Sequence, residues 1–154
     1  LFKHPKKHLN NIESFYKKTP YFKSYFLFLK RIYETNHKLL LDFNLDLIIF
    51  FLGCLNKECN IVLSSDIKTK LTGLDKILYI LKNQNATKYI SGDGEGSKRY
   101  IDEQLFKNNN IELIWQNYKH PTYKQLYGEF IPYLSILDLL FNEGPNSKNI
   151  ILCK

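Results

Sequence analysis

Apolar positions recur at helical spacing through the first third of the chain and then give way to short apolar runs closed by polar turns. From His8 to Lys18, Leu9, Ile12, Phe15 and Tyr16 share one stripe, and Thr19-Pro20 ends the pattern. Phe22 to Thr35 repeats it, with Phe22, Tyr25, Phe26, Leu29, Ile32 and Tyr33 turned inward and Lys23, Lys30 and Arg31 outward. Leu39 to Leu55 is apolar on most sides; it reads as a buried helix, with Asp42 or Asn44 as a cap and Gly53 allowing close packing or the exit.

Beyond Asn60 the rhythm changes. Asn60 to Leu63 is a β-branched run opening into Ser64-Ser65-Asp66, which predicts a buried strand. A helix follows at Thr72 to Asn83, a strand at Thr87 to Ile90, a helix at Tyr100 to Phe106 and a strand at Ile111 to Trp115. Ser135 to Phe141 is the last clear helix, with Ser135 at its N-cap and Asp138 three residues on; Ile150 to Leu152 is a candidate edge strand. Strands separated by helices imply crossover connections and a parallel sheet. The expected fold is therefore a single α/β domain, with a helical portion at residues 1–56 and a βαβ portion at 60–154. Its sheet is expected to be parallel and Rossmann-like, in two or three layers.

Composition narrows this reading. With 154 residues, 44% of them hydrophobic, the chain can bury one substantial core, and 11 Tyr and 11 Phe make much of that core or of a cleft wall aromatic. The abundance of Lys, Asn and Ile weakens single lysines as functional markers. The net charge of +7 sits unevenly: residues 1–38 carry nine Lys and Arg against Glu13 and Glu34, and the remainder balances. Such a segment could face phosphates of a nucleotide, a sugar nucleotide, a nucleic acid or a lipid surface, but solvated helix faces are the favoured reading, and no nucleic-acid module accompanies it. Cys54, Cys59 and Cys153 have no zinc-binding spacing and their odd number argues against a disulfide framework, which implies a reducing, cytoplasmic setting. Leu45 to Leu55 is too short to span a bilayer. The chain begins at Leu1 rather than Met, as expected of a fragment.

Two stretches could carry chemistry. In an open parallel sheet ligands sit beyond the carboxyl ends of the strands, where the turn Ser91-Gly92-Asp93-Gly94-Glu95-Gly96-Ser97 would lie. Its alternate glycines allow positive φ and converging N–H groups, although it matches no nucleotide motif and Asp93 and Glu95 oppose a phosphate; a plain turn is the competing reading. The second stretch is Tyr118-Lys119-His120-Pro121-Thr122-Tyr123-Lys124-Gln125. Pro121 keeps His120 out of helical geometry, so an extended segment can present His120, Tyr123 and Gln125 to one side. His120 could be a general base or merely a core histidine, and Ser135 and Asp138 read first as helix-capping groups. His4, His8 and His37 have no evident metal role, and no metal site is expected.

The residues Ser91, Gly92, Gly94, Tyr100, Tyr118, Pro121, Tyr123, Gln125, Phe130, Pro132, Leu134, Ser135, Asp138 to Asn142 and Gly144 together resemble the WbqC-like family. So does the leading pattern of His8, Ile12, Tyr16 and Tyr21-Phe22, and the likeness covers nearly all of residues 1–144. Its closing motif, HPTYKQ…FIPYLSILDLLFNEG, is specific. Family members begin with a further segment bearing a Gln-Pro-x-Tyr/Phe-x-Pro motif, which this sequence lacks.

The resemblance implies a bacterial cytoplasmic protein of surface-polysaccharide (O-antigen, lipopolysaccharide) biosynthesis that transfers an aminoacyl group, glycine in particular, to an amino sugar. On that expectation His120 or Asp138 is the base, and Ser91, Gly92, Gly94, Tyr100, Tyr123, Gln125 and Ser135 bind a small-molecule or sugar-nucleotide substrate. The glycine turn and the His-Pro segment are then expected to open onto one pocket. Amide formation needs an activated donor, which ATP, a thioester or an aminoacyl-tRNA would supply. A non-catalytic sugar-nucleotide-binding or partner-binding protein of the same pathway is the alternative.

Overall fold

A computed structural model describes residues 5–152. The elements in order are α1 (Pro5–Tyr16), α2 (Phe22–Glu34), α3 (Leu40–Cys54), α4 (Gly73–Asn83), β1 (Lys88–Gly92), α5 (Glu95–Tyr100), α6 (Glu103–Asn108), β2 (Glu112–Gln116), α7 (Ile136–Glu143) and α8 (Ser147–Ile151); a 3₁₀ turn, Gly144–Asn146, joins the last two. They group into two compact units, Leu1–Cys59 with His120–Lys154, and Asn60–Lys119.

The first unit is helical. Phe22, Leu29 and Phe141 form its buried centre, surrounded by Ile12, Tyr16, Tyr25, Phe26, Tyr33, Leu47, Phe50 and Leu137. Phe22 stacks on Phe26 and meets Phe141 at a tilt, so α2 and α7 lock through aromatic rings. Helix α3 departs from expectation. Its apolar surface runs all round, yet only Phe43 is buried, while Leu40, Leu41, Ile48 and Ile49 are exposed. Only the side bearing Leu47 and Phe50 joins the core. Asp42 serves its start by accepting from the Leu39 N–H at 3.2 Å.

The second unit contains the sheet. β1 and β2 pair in parallel, Lys88 opposite Glu112 and Gly92 opposite Gln116, and α5 and α6 form the crossover between them. Leu78 of α4, Phe106 of α6 and Ile111 are its buried core, and Tyr89 stacks on Phe106. The parallel pairing agrees with expectation, but the sheet has two strands among the described residues, not three. Asn60–Leu63 has strand-like composition without a ladder partner, and Ile61 and Val62 are exposed; a β-branched run becomes a strand only where another edge receives it. Ile150 belongs to α8, not to an edge strand. The helix expected at Tyr100 to Phe106 is two helices. Asp102 breaks it, its carboxylate accepting from the N–H groups of Gln104 and Leu105 to cap α6. The result is a mixed helical and sheet architecture.

Candidate functional site

The closing motif folds around one carboxylate. Ser135 caps α7, its hydroxyl oxygen accepting from the Leu137 N–H at 3.3 Å, and this sets Asp138 in the first turn. The Asp138 side chain turns inward and is 5% exposed. The Tyr123 hydroxyl donates to its Oδ2 at 2.8 Å and the Gln125 amide donates to the same oxygen at 3.0 Å. Gln125 also donates to the Ile131 carbonyl at 2.9 Å and accepts from the Ile131 N–H at 2.8 Å, so its amide pairs with the backbone and fixes both itself and the loop. From the far end of the sequence, the Tyr16 phenol of α1 faces the same carboxylate. Burial first, and then the Asp138 charge, push that phenol up to about 12. Tyr123 is driven above the ordinary phenol range as well, chiefly by burial and then by its bond to Asp138. Both tyrosines are therefore hydrogen-bond donors at neutral pH.

The charge of Asp138 is met within the chain by neutral donors. Among the described residues the ion pairs are Lys30–Glu34, His37–Asp46 and Lys88–Glu112, and none includes Asp138. Removing a carboxylate from water costs several kcal/mol, on the order of what two charge-assisted hydrogen bonds return at about 1.5–3 kcal/mol each. The helix terminus adds at most about 2 kcal/mol. Asp138 also lines a cavity of about 210 Å³, together with Phe15, Tyr16, Thr19, Leu126, Tyr127, Ile131 and Leu134 and the polar residues Gln125 and Asn142. Asn142 is held by donating to the Asp138 carbonyl at 2.8 Å.

His120 stands at a different place in this unit. Its ring is half-buried among Tyr123, Phe130 and Tyr133, with centroids 6.1, 5.9 and 4.9 Å away, and it does not line the cavity. Tyr133, which meets it edge-on, has φ +61°, a strained conformation for a residue with a side chain. Tyr123 joins the two groups, touching the histidine cluster with its ring and Asp138 with its hydroxyl.

Ser91, Gly92, Gly94 and Tyr100 belong to the other unit. There the turn follows the carboxyl end of β1, and Gly94 is the residue before α5. Positive φ is not what its glycines supply: the glycines with positive φ are Gly73, Gly128 and Gly144, whereas Gly94 has φ −65° and Gly96 lies within α5. Ser91 and Tyr100, with Gly73, Leu74, Ile77, Tyr89, Ser97 and Ile101, line a separate cavity of about 310 Å³.

Sequence reasoning missed Tyr16 as a site residue, because its place on an apolar helical stripe made it look like core. It is core on one side, its ring centroid 5.2 Å from that of Phe141, while its hydroxyl end faces Asp138. Thr19 and Asn142 were missed as wall residues because neither residue type signals a pocket alone. No group of three or more His, Cys, Asp or Glu is placed to hold a metal ion among the described residues, and none of their helices is long and apolar enough to cross a membrane.

The sequence matches the profile of the WbqC-like protein family over residues 2–150. It is similar to the uncharacterized protein Rv1507c of Mycobacterium tuberculosis (strain ATCC 25618 / H37Rv), with 33% identity over 119 residues. That alignment takes in 77% of this chain and 49% of the relative, so the chain spans about half the length of the relative it matches. No solved structure matches it.

Proposed function

The chain belongs to the WbqC-like protein family, and from that premise we propose that it is part of a cytoplasmic transferase of bacterial surface-polysaccharide (O-antigen) biosynthesis, which places an aminoacyl group, glycyl in particular, on the amine of an amino sugar. The observation that carries the reading is the buried Asp138 carboxylate at the wall of a cavity, oriented by Tyr123 and Gln125. A Rossmann-like completion of the β1–β2 pair belongs to the same reading.

In the reaction the amine lone pair attacks the carbonyl carbon of an activated glycyl donor. A C–N bond forms, the bond to the leaving group (phosphate, thiolate or the ribose oxygen of a tRNA) breaks, and the nitrogen gives up one proton. Asp138 is the acceptor for that proton, and Tyr123 and Gln125 hold its carboxylate in place throughout. His120, linked to the site through Tyr123, is the alternative base. In the other unit, Ser91, Gly92, Gly94 and Tyr100 form a binding region of their own for a small-molecule or sugar-nucleotide ligand, supported by the cavity that Ser91 and Tyr100 line.

The full-length protein, given a nucleotide-linked amino sugar and glycine with ATP, a glycyl thioester or glycyl-tRNA, is expected to raise the sugar's mass by one glycyl unit. No gain with any of the three donors, from protein with an intact fold, overturns the proposal. Retention of the sugar nucleotide without turnover would then favour a non-catalytic binding protein.

A further inference from the structure

We infer that the cavity beside Asp138 is an ammonium site, filled by the protonated primary amine of a small polyhydroxylated substrate with the Asp138 carboxylate as its counter-ion. The inference rests on the transferase reading for the identity of that substrate, but its physical basis is separate. A carboxylate 5% exposed has lost its water, and the groups that the chain turns toward it, Tyr123, Gln125 and Tyr16, are all neutral donors. They direct the charge without cancelling it. The cavity that Asp138 lines is otherwise walled mostly by apolar and aromatic side chains such as Phe15, Tyr127 and Ile131. Such a wall cannot neutralise the carboxylate, and it raises the strength of any opposite charge brought alongside it. An anion is repelled there, and a neutral hydroxyl gains one hydrogen bond. An ammonium gains the hydrogen bond and the charge together, and aromatic rings tolerate a cation beside them.

The site thus selects for an unacylated amine, bound as the ammonium; one proton passes to water before attack, which restores the lone pair, and the second, lost as the C–N bond forms, passes to Asp138. An N-acylated sugar, which has lost the positive charge and gained bulk at the same nitrogen, is excluded.

Calorimetric titration of the full-length protein with D-glucosamine, D-glucose and N-acetyl-D-glucosamine tests this, with methylammonium as the smallest probe. Glucosamine is expected to bind at least tenfold tighter than the other two sugars, and methylammonium to compete with it. Asp138→Asn, with near-ultraviolet circular dichroism unchanged, is expected to abolish the preference. Equal binding of all three sugars, no binding of glucosamine or methylammonium, or a preference that survives Asp138→Asn overturns the inference. Glycyl transfer without amine preference leaves the transferase reading standing and removes the ammonium site; amine preference without transfer does the reverse.

Discussion

The ring of Tyr21 occupies the space that a side chain at Gly144 would need. A Cβ built on Gly144 would overlap three atoms of that ring, and the glycine has φ +54°, which disfavours any side chain even in open space. The Tyr21 N–H donates to the Phe141 carbonyl at 3.0 Å, so the approach is fixed by the backbone as well as by the ring. The last glycine of the closing motif is thus where α7 ends and the α1–α2 connection crosses it. Gly144→Ala is expected to lower the unfolding free energy by about 2–4 kcal/mol, combining left-handed strain with overlap. Adding Tyr21→Ala should recover the overlap portion only, leaving the double mutant more stable than the sum of the single changes. Urea unfolding of the four proteins measures this.

Tyr123→Phe removes one of the two donors to Asp138 Oδ2 while keeping the ring that touches His120 and Phe130. A buried carboxylate with a lost partner costs about 1–3 kcal/mol. The variant should be destabilised by that amount in denaturant unfolding and should turn over more slowly, since the carboxylate is less well held.

Alkaline pH should destabilise the protein through the tyrosines of the helical unit. Tyr16 has its phenol raised from 10.0 to about 12 in the folded protein, by burial first and then by Asp138; Tyr25 and Tyr33 are raised too, by burial. The unfolded chain loses these protons first, so it binds fewer protons than the native state above pH 10, and stability falls as pH rises. The stabilisation is whole below pH 10 and disappears as pH climbs through the folded-state values, for Tyr16 between 10.0 and about 12. Tyr16→Phe should flatten this decline in urea unfolding measured across that range, and should remove one late-titrating phenolate from the ultraviolet titration.

The glycine turn makes the opposite prediction from Gly144. Gly96 sits inside α5, has no positive φ, and a Cβ added to it would meet no atom within 4 Å. Gly96→Ala is therefore expected to stabilise the protein by about 0.5–1 kcal/mol through helix propensity. Weaker substrate binding by this more stable variant would show that a ligand approaches the backbone there.

How far the sequence could be read depended on whether local pattern or distant pairing decided the outcome. Helices α1, α2, α4 and α7 were legible because each has an apolar stripe and a local stop or cap, such as Thr19-Pro20 or Ser135. The parallel pairing of β1 and β2 followed from the helices between them. Asn60–Leu63 was misread because a strand depends on an edge elsewhere, and α3 because an all-round apolar sequence does not state how many of its sides find a neighbour. In the site, an extended segment was expected to present His120, Tyr123 and Gln125 to one side while Asp138 read first as a capping group; Tyr123 and Gln125 instead meet Asp138, and His120 does not line the cavity beside it. Tyr16 lies more than a hundred residues earlier, and only the packing of α1 brings it to them.

The account depends most on Asp138 being a working group and not a helix-terminal ornament. Asp138→Asn in the full-length protein keeps the volume and one acceptor for Tyr123, so the fold should survive; glycyl transfer to an amino sugar, followed by mass spectrometry, should fall by about 100-fold or more. Transfer at the wild-type rate by a well-folded Asp138→Asn protein would contradict it.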